Sequence, residues 1–256
     1  MTSHPPFPRV LTIAGSDSGG GAGIQADLKT FAALGAYGAS AITAITAQNT
    51  CGVRAVQALP PEMITAQCDA VLDDMRIDAV KIGMLADVAA IEAVAAVLRR
   101  RRLLFVVLDP VMVATSGDGL ALENTVAAMC AQLLPLADVV TPNLSELAAL
   151  SGQAPALDEN EMLAQGQILL NKGAAAVLLK GGHWADSDEA ADWLLSPDAP
   201  AQCFSRPRIH SHHTHGTGCT LSSAIAALRP RHTDLAAAVA SAKEYVHGAI
   251  AAGQNW

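Results

Sequence analysis

The sequence predicts an α/β protein with a mostly parallel central sheet and helices on both of its faces. Short apolar runs containing β-branched residues alternate with longer segments of helical spacing along most of the chain. Polar or glycine-rich residues follow several of these runs, as they do at the carboxyl ends of strands that bind ligands. Such alternation favours right-handed crossovers that cover both faces of one sheet.

The amino-acid composition indicates how large the buried core is and which classes of binding partner are disfavoured. Of the 256 residues, 51% are hydrophobic and 16% are charged, which supports a large buried core and argues against disorder. No internal repeat or low-complexity linker interrupts the chain, so residues 1–256 are predicted to form a single domain. The formal net charge of −8 disfavours nucleic acid and anionic membrane surfaces as partners.

The cysteines and the N-terminus indicate the compartment. There are 5 cysteines, an odd number with no C-x-x-C pair, which is typical of a reducing compartment. The N-terminus lacks a basic start followed by an apolar segment, and no apolar run reaches the roughly 20 residues of a membrane span. We therefore expect a cytoplasmic protein.

The predicted elements follow in order. Each strand is a short apolar run, and each helix has apolar residues at helical spacing. Pro61-Glu62 is an ordinary helix start, and the arginines 99–102 suit the last turn of a helix, so we interpret that basic run as structural. The predicted strands are 10–14, 39–47, 79–83, 103–108, 138–141 and 176–180, with 192–195 and 202–209 as a hairpin or small flap. The predicted helices are 24–34, 60–76, 86–101, 120–134, one starting at 142, one from 220 onward, and 234–252.

A glycine-rich turn before the helix from 220 is a candidate anion site. Gly216, Thr217, Gly218 and Cys219 precede a small, apolar run. Unpartnered N–H groups and the helix dipole attract anions to a helix start, phosphate above all. The thiol of Cys219 lies in the same field, so we expect a lowered pKa and a role as base or nucleophile. The alternative is a tight turn before a core helix, with Cys219 as a small buried residue.

A second glycine-rich loop spans 15–23, after the first strand. It lacks the Lys-Ser/Thr ending of a P-loop, and its glycines do not fit G-x-G-x-x-G before a helix. The loop permits close approach of a small ligand to the backbone at Gly15, beside Asp17 and Asp27. The alternative is a flexible turn with solvated carboxylates.

Two other strand ends carry side chains suited to ligands. Gln48 directly follows the strand at 39–47, and its amide can pair with the edge of a heterocycle, although it can equally be a turn residue. Asn143 and Glu146 lie three positions apart on one helix face, where their oxygens can hold hydrated Mg²⁺.

Seven stretches in order resemble one family. Together these motifs, spread over nearly the whole chain, resemble the hydroxymethylpyrimidine/phosphomethylpyrimidine kinases of thiamine biosynthesis, in the ribokinase-like superfamily. The stretches are 15–30, 47–50, 81–84, 109–112, 141–146, 180–183 and 214–219.

The resemblance implies a ribokinase-like homodimer that uses ATP and Mg²⁺. It implies phosphorylation of 4-amino-5-hydroxymethyl-2-methylpyrimidine, and then of the monophosphate at the same site. By this resemblance Gln48 pairs with the aminopyrimidine. The residues carried over are, for the pyrimidine, Gln48, Asp27, Met84, Gly15 and Asp17; for the nucleotide, Lys180, Asn143, Glu146 and Asp109; for Mg²⁺, Asn143 and Glu146; for the anion hole, Gly216, Thr217 and Gly218; and for the base, Cys219.

Alternative functions remain open. The nearest is a pyridoxal or pyridoxine kinase of the same fold; relatives of that type often carry Met at the position of Gln48. A sensor that binds the pyrimidine without turnover need not retain the nucleotide residues. A Cys–His hydrolase built on Cys219 and His215 leaves the Asn143–Glu146 pair unexplained.

The sequence also departs from the family pattern in two places, and it holds a histidine cluster. Many relatives carry Asn where this chain has His213, which is expected to alter the nucleotide fit. The chain stops soon after Ala252, so a peripheral helix of relatives is expected to be missing. The spacing of His210, His212, His213 and His215 matches no common zinc site.

Overall fold

A computed structural model of the chain describes residues 7–112, 119–181, 188–211 and 214–253. Within them, one nine-stranded sheet is covered by α-helices, which confirms the predicted α/β class. Strands β1 to β9 are Arg9–Asp17, Tyr37–Asn49, Gly52–Ala58, Ala79–Ile82, Val106–Leu108, Val139–Val140, Val177–Lys180, Glu189–Leu195 and Gln202–Pro207. Helices α1 to α8 are Gly23–Ala33, Pro61–Asp74, Val88–Arg100, Gly119–Gln132, Leu144–Ser151, Glu159–Asn171, Thr217–Leu228 and Leu235–Ala252.

The middle of the sheet is parallel. The spatial order is β3-β2-β1-β4-β5-β6-β7-β8-β9, and every pair from β2 to β7 is parallel. Only the outer pairs β2–β3, β7–β8 and β8–β9 are antiparallel among the described residues. Because parallel strands end at the same edge of a sheet, three charged side chains lie beside the start of α7. They are those of Asp17, Asp109 and Lys180.

The core has two layers, one on each face of the sheet. Along β1, Leu11 and Ile13 face the layer that contains α2 to α6, whereas Val10 faces α1, α7 and α8. This alternation follows the two-residue period of a strand.

No helix in the described ranges is both long enough and apolar enough to cross a membrane.

The basic end of α3 has the structural role that we predicted. Arg100 lies 2.6 Å from a carboxylate oxygen of Asp69, and Arg101 lies 2.9 Å from Asp69 and 2.6 Å from Asp73. These pairs link α3 to α2 on the protein surface.

Two segments predicted as loops are strand instead. β1 continues through Gly15 to Asp17, with an irregularity between Ala14 and Ser16, because its partner β2 remains paired with it. β2 runs through Gln48 to Asn49, so Gln48 is a strand residue and does not follow the strand. Pairing with a neighbouring strand overrides the weak strand propensity of Gly, Ser and Asn.

The hairpin beside the small cavity described below is not the one predicted. β3 was missed because its residues are mostly exposed and show no apolar run. It pairs with β2, and its residue Val53 reaches the cavity wall. The predicted hairpin at 192–209 exists as β8 and β9. It pairs with β7 and so continues the main sheet, and both of its strands line the larger cavity of the site.

Three helices differ from the sequence prediction. α7 begins at Thr217 and not at 220, so Gly218 and Cys219 lie in its first turn.

The other two helices are α5 and α6. α5 begins at Leu144 with Asn143 as its N-cap, so Pro142 lies outside the helix. α6, at Glu159–Asn171, was not predicted; Gly166 interrupts its helix-forming residues. The predicted loop 114–119 and the departure at His213 lie wholly or mainly outside the described residues.

We predict that Gly248→Ala raises the free energy of unfolding by about 0.5–1 kcal/mol, since glycine is a poor residue inside a helix. Gly248 is exposed in α8, and an added Cβ would meet nothing within 4 Å. Gly166→Ala is the matched control, because its Cβ would lie 2.9 Å from Leu179 Cδ1 and 3.0 Å from Leu195 Cδ2. Urea unfolding should show a gain for Gly248→Ala and a smaller gain or a loss for Gly166→Ala; the reverse order would contradict the packing described here.

Candidate active site

Two cavities meet at the first turn of α7. The smaller, of about 100 Å³, is bounded by the ends of β1 and β2, by the residues after β4 and by Cys219. The larger, of about 440 Å³, is lined by Asn143 and Lys180 and reaches Gly218. Because Gly218 and Cys219 are consecutive, the N-terminus of α7 lies between the two cavities.

The start of α7 has the features of an anion site. Gly216, its N-cap, has a φ of 82°, and a Cβ there would overlap the carbonyl oxygen of Gly21. The N–H of Thr217 donates to Thr214 at 3.2 Å, whereas the N–H groups of Gly218 and Cys219 meet no acceptor within the described ranges. Two free donors at a helix N-terminus suit a phosphoryl group.

The expected low pKa of Cys219 is wrong. Burial raises the pKa of this thiol, and the carboxylates of Asp109 and Asp27 raise it further. Lys81 lowers the pKa, as does the N–H of Gly23, which donates to the sulfur. Their combined effect is smaller than that of burial and the carboxylates. The thiol is therefore protonated at neutral pH, because burial and the two carboxylates outweigh the Lys81 cation and the hydrogen bond from Gly23.

Asp27 lies behind the small cavity and does not line it. It is fully buried and accepts hydrogen bonds from Thr12 at 2.6 Å and from Ser223 at 2.7 Å. The ammonium of Lys81 lies 3.0 Å from both of its carboxylate oxygens. The alternative of a solvated carboxylate is therefore wrong for Asp27, and the side chain that faces the cavity is Lys81.

Lys81 belongs to the motif at 81–84, but the sequence predicted no role for it. A lysine inside the apolar run 79–83 was the available signal, since lysine is almost never fully buried without a partner. Burial is the largest single influence and lowers its pKa, but the negative charges around the ammonium, with Asp27 first, together outweigh burial and raise the pKa above the usual value. Lys81 therefore carries a permanent positive charge at the cavity wall.

A second buried pair joins Lys180 to Asp109. Lys180 Nζ lies 3.1 Å from Asp109 Oδ1 and 3.6 Å from Glu146 Oε2, and the hydroxyl of Ser222 donates to Asp109 Oδ2 at 3.1 Å. Burial would raise the pKa of Asp109, yet the charges of Lys180 and Lys81 hold it below the usual value. Lys180 lines the larger cavity, while Asp109 is almost wholly buried behind it.

Asn143 and Glu146 form a capping box at the start of α5. Asn143 Oδ1 accepts the N–H of Glu146 at 2.9 Å, and Glu146 Oε2 accepts the N–H of Asn143 at 2.7 Å. Burial raises the pKa of Glu146, with the carboxylate of Asp109 adding to it and Lys180 opposing. Glu146 Oε1 has no hydrogen-bond partner within the described residues. A hard cation suits this pair, because it prefers oxygen ligands and offsets the burial of a carboxylate.

Asp17 organises the loop at 15–23. Its carboxylate accepts the N–H groups of Gly19 at 2.8 Å, Gly21 at 3.1 Å and Ala22 at 2.8 Å. His215 Nε2 lies 3.2 Å from Oδ2. Burial would raise the pKa of Asp17, but these hydrogen bonds, that of His215 first, outweigh it and lower the pKa. The carboxylate is thus neither solvated nor free, and it joins the two glycine loops.

Gln48, Met84 and Gly15 line the small cavity, as expected for a ligand pocket. The hydroxyl of Thr46 donates to Gln48 Oε1 at 3.0 Å, and Gln48 Nε2 lies 3.4 Å from His215 Nε2. The amide is therefore held in place at the wall. Asp17 and Cys219 also line this cavity. So do Val53, Val111, Thr46 and Lys81, for which the sequence predicted no role.

The structure bears on two alternatives. His215 contacts Asp17 and Gln48 and makes no hydrogen bond to Cys219 in the described ranges, as a Cys–His hydrolase would require. No three His, Cys, Asp or Glu side chains among the described residues form a metal cluster. His212 and His213, like residues 182–183 of the quoted motif, lie outside the described residues.

Comparisons with known proteins agree with this geometry. The family model for phosphomethylpyrimidine kinase matches residues 17–256. A hydroxymethylpyrimidine/phosphomethylpyrimidine kinase of Rhizobium meliloti is 55% identical over 247 residues, 96% of this chain and 91% of that protein. A thiamine biosynthesis bifunctional protein of Geobacter sulfurreducens is 48% identical over 251 residues, 97% of this chain and 51% of that protein.

A solved structure has the same fold. The pyridoxal kinase of Staphylococcus aureus, in complex with AMP-PCP, is 36% identical with a TM-score of 0.88, covering 96% of this chain and 89% of that one. The predicted ribokinase-like fold is confirmed.

We predict that Asp17→Asn destabilises the protein more at neutral pH than in acid. A folded-state pKa below the usual 3.8 means that ionised Asp17 adds stability above that value, and that this stability is lost as the pH falls through the folded-state pKa. The gap in thermal midpoint between wild type and variant should therefore narrow from about pH 6 to about pH 3. Asp74→Asn, at an exposed carboxylate, is the control and should leave a small gap throughout. A constant gap for Asp17→Asn would argue against the hydrogen-bonded carboxylate.

Proposed function

Because the chain belongs to the phosphomethylpyrimidine kinase family, we propose that its two cavities hold the pyrimidine and ATP on opposite sides of the α7 N-terminus. The protein is a kinase of thiamine biosynthesis that phosphorylates hydroxymethylpyrimidine and its monophosphate. The observation that carries the arrangement is that the consecutive residues Gly218 and Cys219 line different cavities and present free N–H groups. A phosphoryl group passing between the cavities would meet those donors.

The small cavity is the proposed pyrimidine site. Its wall combines apolar side chains, Met84, Val53 and Val111, with the amide of Gln48. Such a wall suits a flat heterocycle whose ring packs on apolar atoms and whose polar edge pairs with one amide. Gly15 permits close approach to the backbone. The hydroxymethyl group would then point towards Cys219.

The larger cavity is the proposed ATP site. The ATP analogue in the Staphylococcus aureus relative supports ATP as the donor. Lys180 supplies an ammonium for the phosphates, and Thr217 and Gly218 close the inner end. The role that we propose for Asp109 is to hold Lys180, since its oxygens already accept from Lys180 and Ser222.

Mg²⁺ is the proposed cation at Asn143 and Glu146. Bound there, it would neutralise charge on the ATP phosphates. The free Oε1 of the buried Glu146 supports this assignment, because the capping box fixes the side chain while leaving one oxygen for a ligand.

The two phosphorylations make different demands on a base. In the first, the hydroxymethyl oxygen bonds to the terminal phosphorus of ATP, the bond from that phosphorus to the bridging oxygen breaks, and ADP leaves with the electron pair. The hydroxyl proton passes to the thiolate of Cys219, and the N–H groups of Gly218 and Cys219 stabilise the transferring group. In the second, the nucleophile is a phosphate oxygen that is already ionised, so a base matters less.

The protein is further proposed to act as one domain and as a cytoplasmic homodimer. One sheet running through all described strands supports a single domain across 1–256. Free thiols at all five cysteines are compatible with a reducing compartment. Exposed apolar side chains at Tyr37, Ile45 and Val53 on β2 and β3 support a dimer contact at that edge of the sheet.

The function is tested by ADP release from purified protein with Mg-ATP and one acceptor at a time. We expect turnover of hydroxymethylpyrimidine and of its monophosphate, and loss of both when Mg²⁺ is removed. Preference for pyridoxal, the ligand class of the structural relative, would replace the pyrimidine assignment. Binding of the pyrimidine without ADP release would indicate a sensor.

We predict that Cys219→Ala lowers kcat for hydroxymethylpyrimidine by about 100-fold or more, the contribution typical of a general base. The loss for the monophosphate should be much smaller, because that acceptor needs no deprotonation. Cys203→Ala, at an exposed cysteine on β9, is the control and should leave both rates nearly unchanged. An equal loss in both steps would refute Cys219 as the base.

A further inference from the structure

The proposed base faces an electrostatic obstacle. Cys219 can accept a proton only as a thiolate, yet burial and two carboxylates favour its neutral form. The charged groups that act on it are Asp27 from α1, Lys81 from β4, Asp109 after β5 and Lys180 from β7. Two lysines therefore favour the thiolate of Cys219, and two carboxylates favour its neutral thiol.

Lys81 differs from the other three groups because it shares the wall of the small cavity with Cys219. Asp27 is buried behind Lys81, and Asp109 and Lys180 belong to the pair at the larger cavity. The side chain of Lys81 is fully buried, and among the described residues its Nζ donates only to the two oxygens of Asp27. An ammonium has three N–H groups, so one has no acceptor.

We propose that Lys81 is a positioning residue of this kinase, whose buried ammonium stabilises the anionic form of Cys219 at the wall of the pyrimidine cavity. The inference rests on the proposed role of Cys219 as base. The placement of charge supports it: Lys81 and Cys219 line the same cavity, and the ammonium is a fixed cation with one N–H group that no described residue accepts. Water can screen this attraction only from the side of Cys219, because neither Lys81 nor Asp27 is exposed.

Lys81 acts without exchanging its own proton. Asp27 keeps the ammonium charged, as the raised pKa of Lys81 indicates. The thiol proton of Cys219 leaves to solvent before the first step, and the hydroxymethyl proton then bonds to the sulfur. Thr12 and Ser223 fix the carboxylate of Asp27, so Lys81 has one geometry and adds little reorganisation to the reaction.

The test removes the pair and follows the thiol directly. Lys81→Met alone would leave the carboxylate of Asp27 buried and unpaired, a change that commonly costs about 3–5 kcal/mol and can prevent folding. The working variant is therefore Asp27→Asn/Lys81→Met, with its fold checked by circular dichroism. Iodoacetamide is applied from about pH 7 to about pH 10, and alkylation of the Cys219 peptide is quantified by mass spectrometry, which separates it from the other four cysteines.

We expect the alkylation profile of Cys219 to move to higher pH, because the loss of the Lys81 cation outweighs the simultaneous loss of the Asp27 carboxylate. The rate at a fixed pH on the rising limb should fall about 3- to 10-fold. The matched control is Asp192→Asn/Lys243→Met. It removes another buried pair, with Nζ and Oδ2 2.6 Å apart, which lines the larger cavity, and it leaves the wall of the small cavity intact. Its Cys219 profile should overlay that of wild type.

A second readout separates positioning from folding. In Asp27→Asn/Lys81→Met, kcat for hydroxymethylpyrimidine should fall at least about 3-fold further than kcat for the monophosphate, because only the first acceptor needs the thiolate. The control variant should change kcat for both acceptors by the same factor. A folded variant with an unshifted Cys219 profile, or with equal loss in both steps, would overturn the proposal. Alkylation needs no substrate, so failure of the kinase assignment itself would appear separately, in the ADP assay.

Discussion

The structure depends on two buried lysine–aspartate pairs that meet one helix. Consecutive hydroxyls of α7, those of Ser222 and Ser223, donate to Asp109 and to Asp27. Each carboxylate also holds a lysine from the sheet, Lys180 for Asp109 and Lys81 for Asp27. Because a buried carboxylate needs hydrogen bonds as well as a cation, these two serines hold the start of α7 against both pairs.

That constraint explains how an acidic protein can bind phosphates. With a formal net charge of −8, the chain attracts no anion through its overall field. The two cations and the free N–H groups of Gly218 and Cys219 are local, buried and fixed. In surroundings that exclude water such groups act strongly over short distances, so positive charge is concentrated where phosphoryl transfer needs it.

Most of the parallel sheet could be predicted because its strands are buried on both faces and appear as apolar runs. β3 could not, since its exposed residues obtain their structure from pairing with β2. The strand ends at Asp17 and Asn49 were missed for the same reason: hydrogen bonds to a neighbour, not local propensity, extend β1 and β2 there. Within the site, the sequence predicted that Gln48 and Met84 contact the ligand, but it predicted no role for Lys81.

The sequence by itself determined the order of most strands and helices, the two glycine loops and the family to which the chain belongs, because these depend on residue type and spacing along the chain. Only the tertiary structure decided that Asp27 lies behind Lys81 and that Cys219 is a neutral thiol. Both results depend on burial and on charges that are distant in sequence. Asp27 and Lys81 stand 54 residues apart, and no local pattern encodes the exclusion of water that couples them to Cys219.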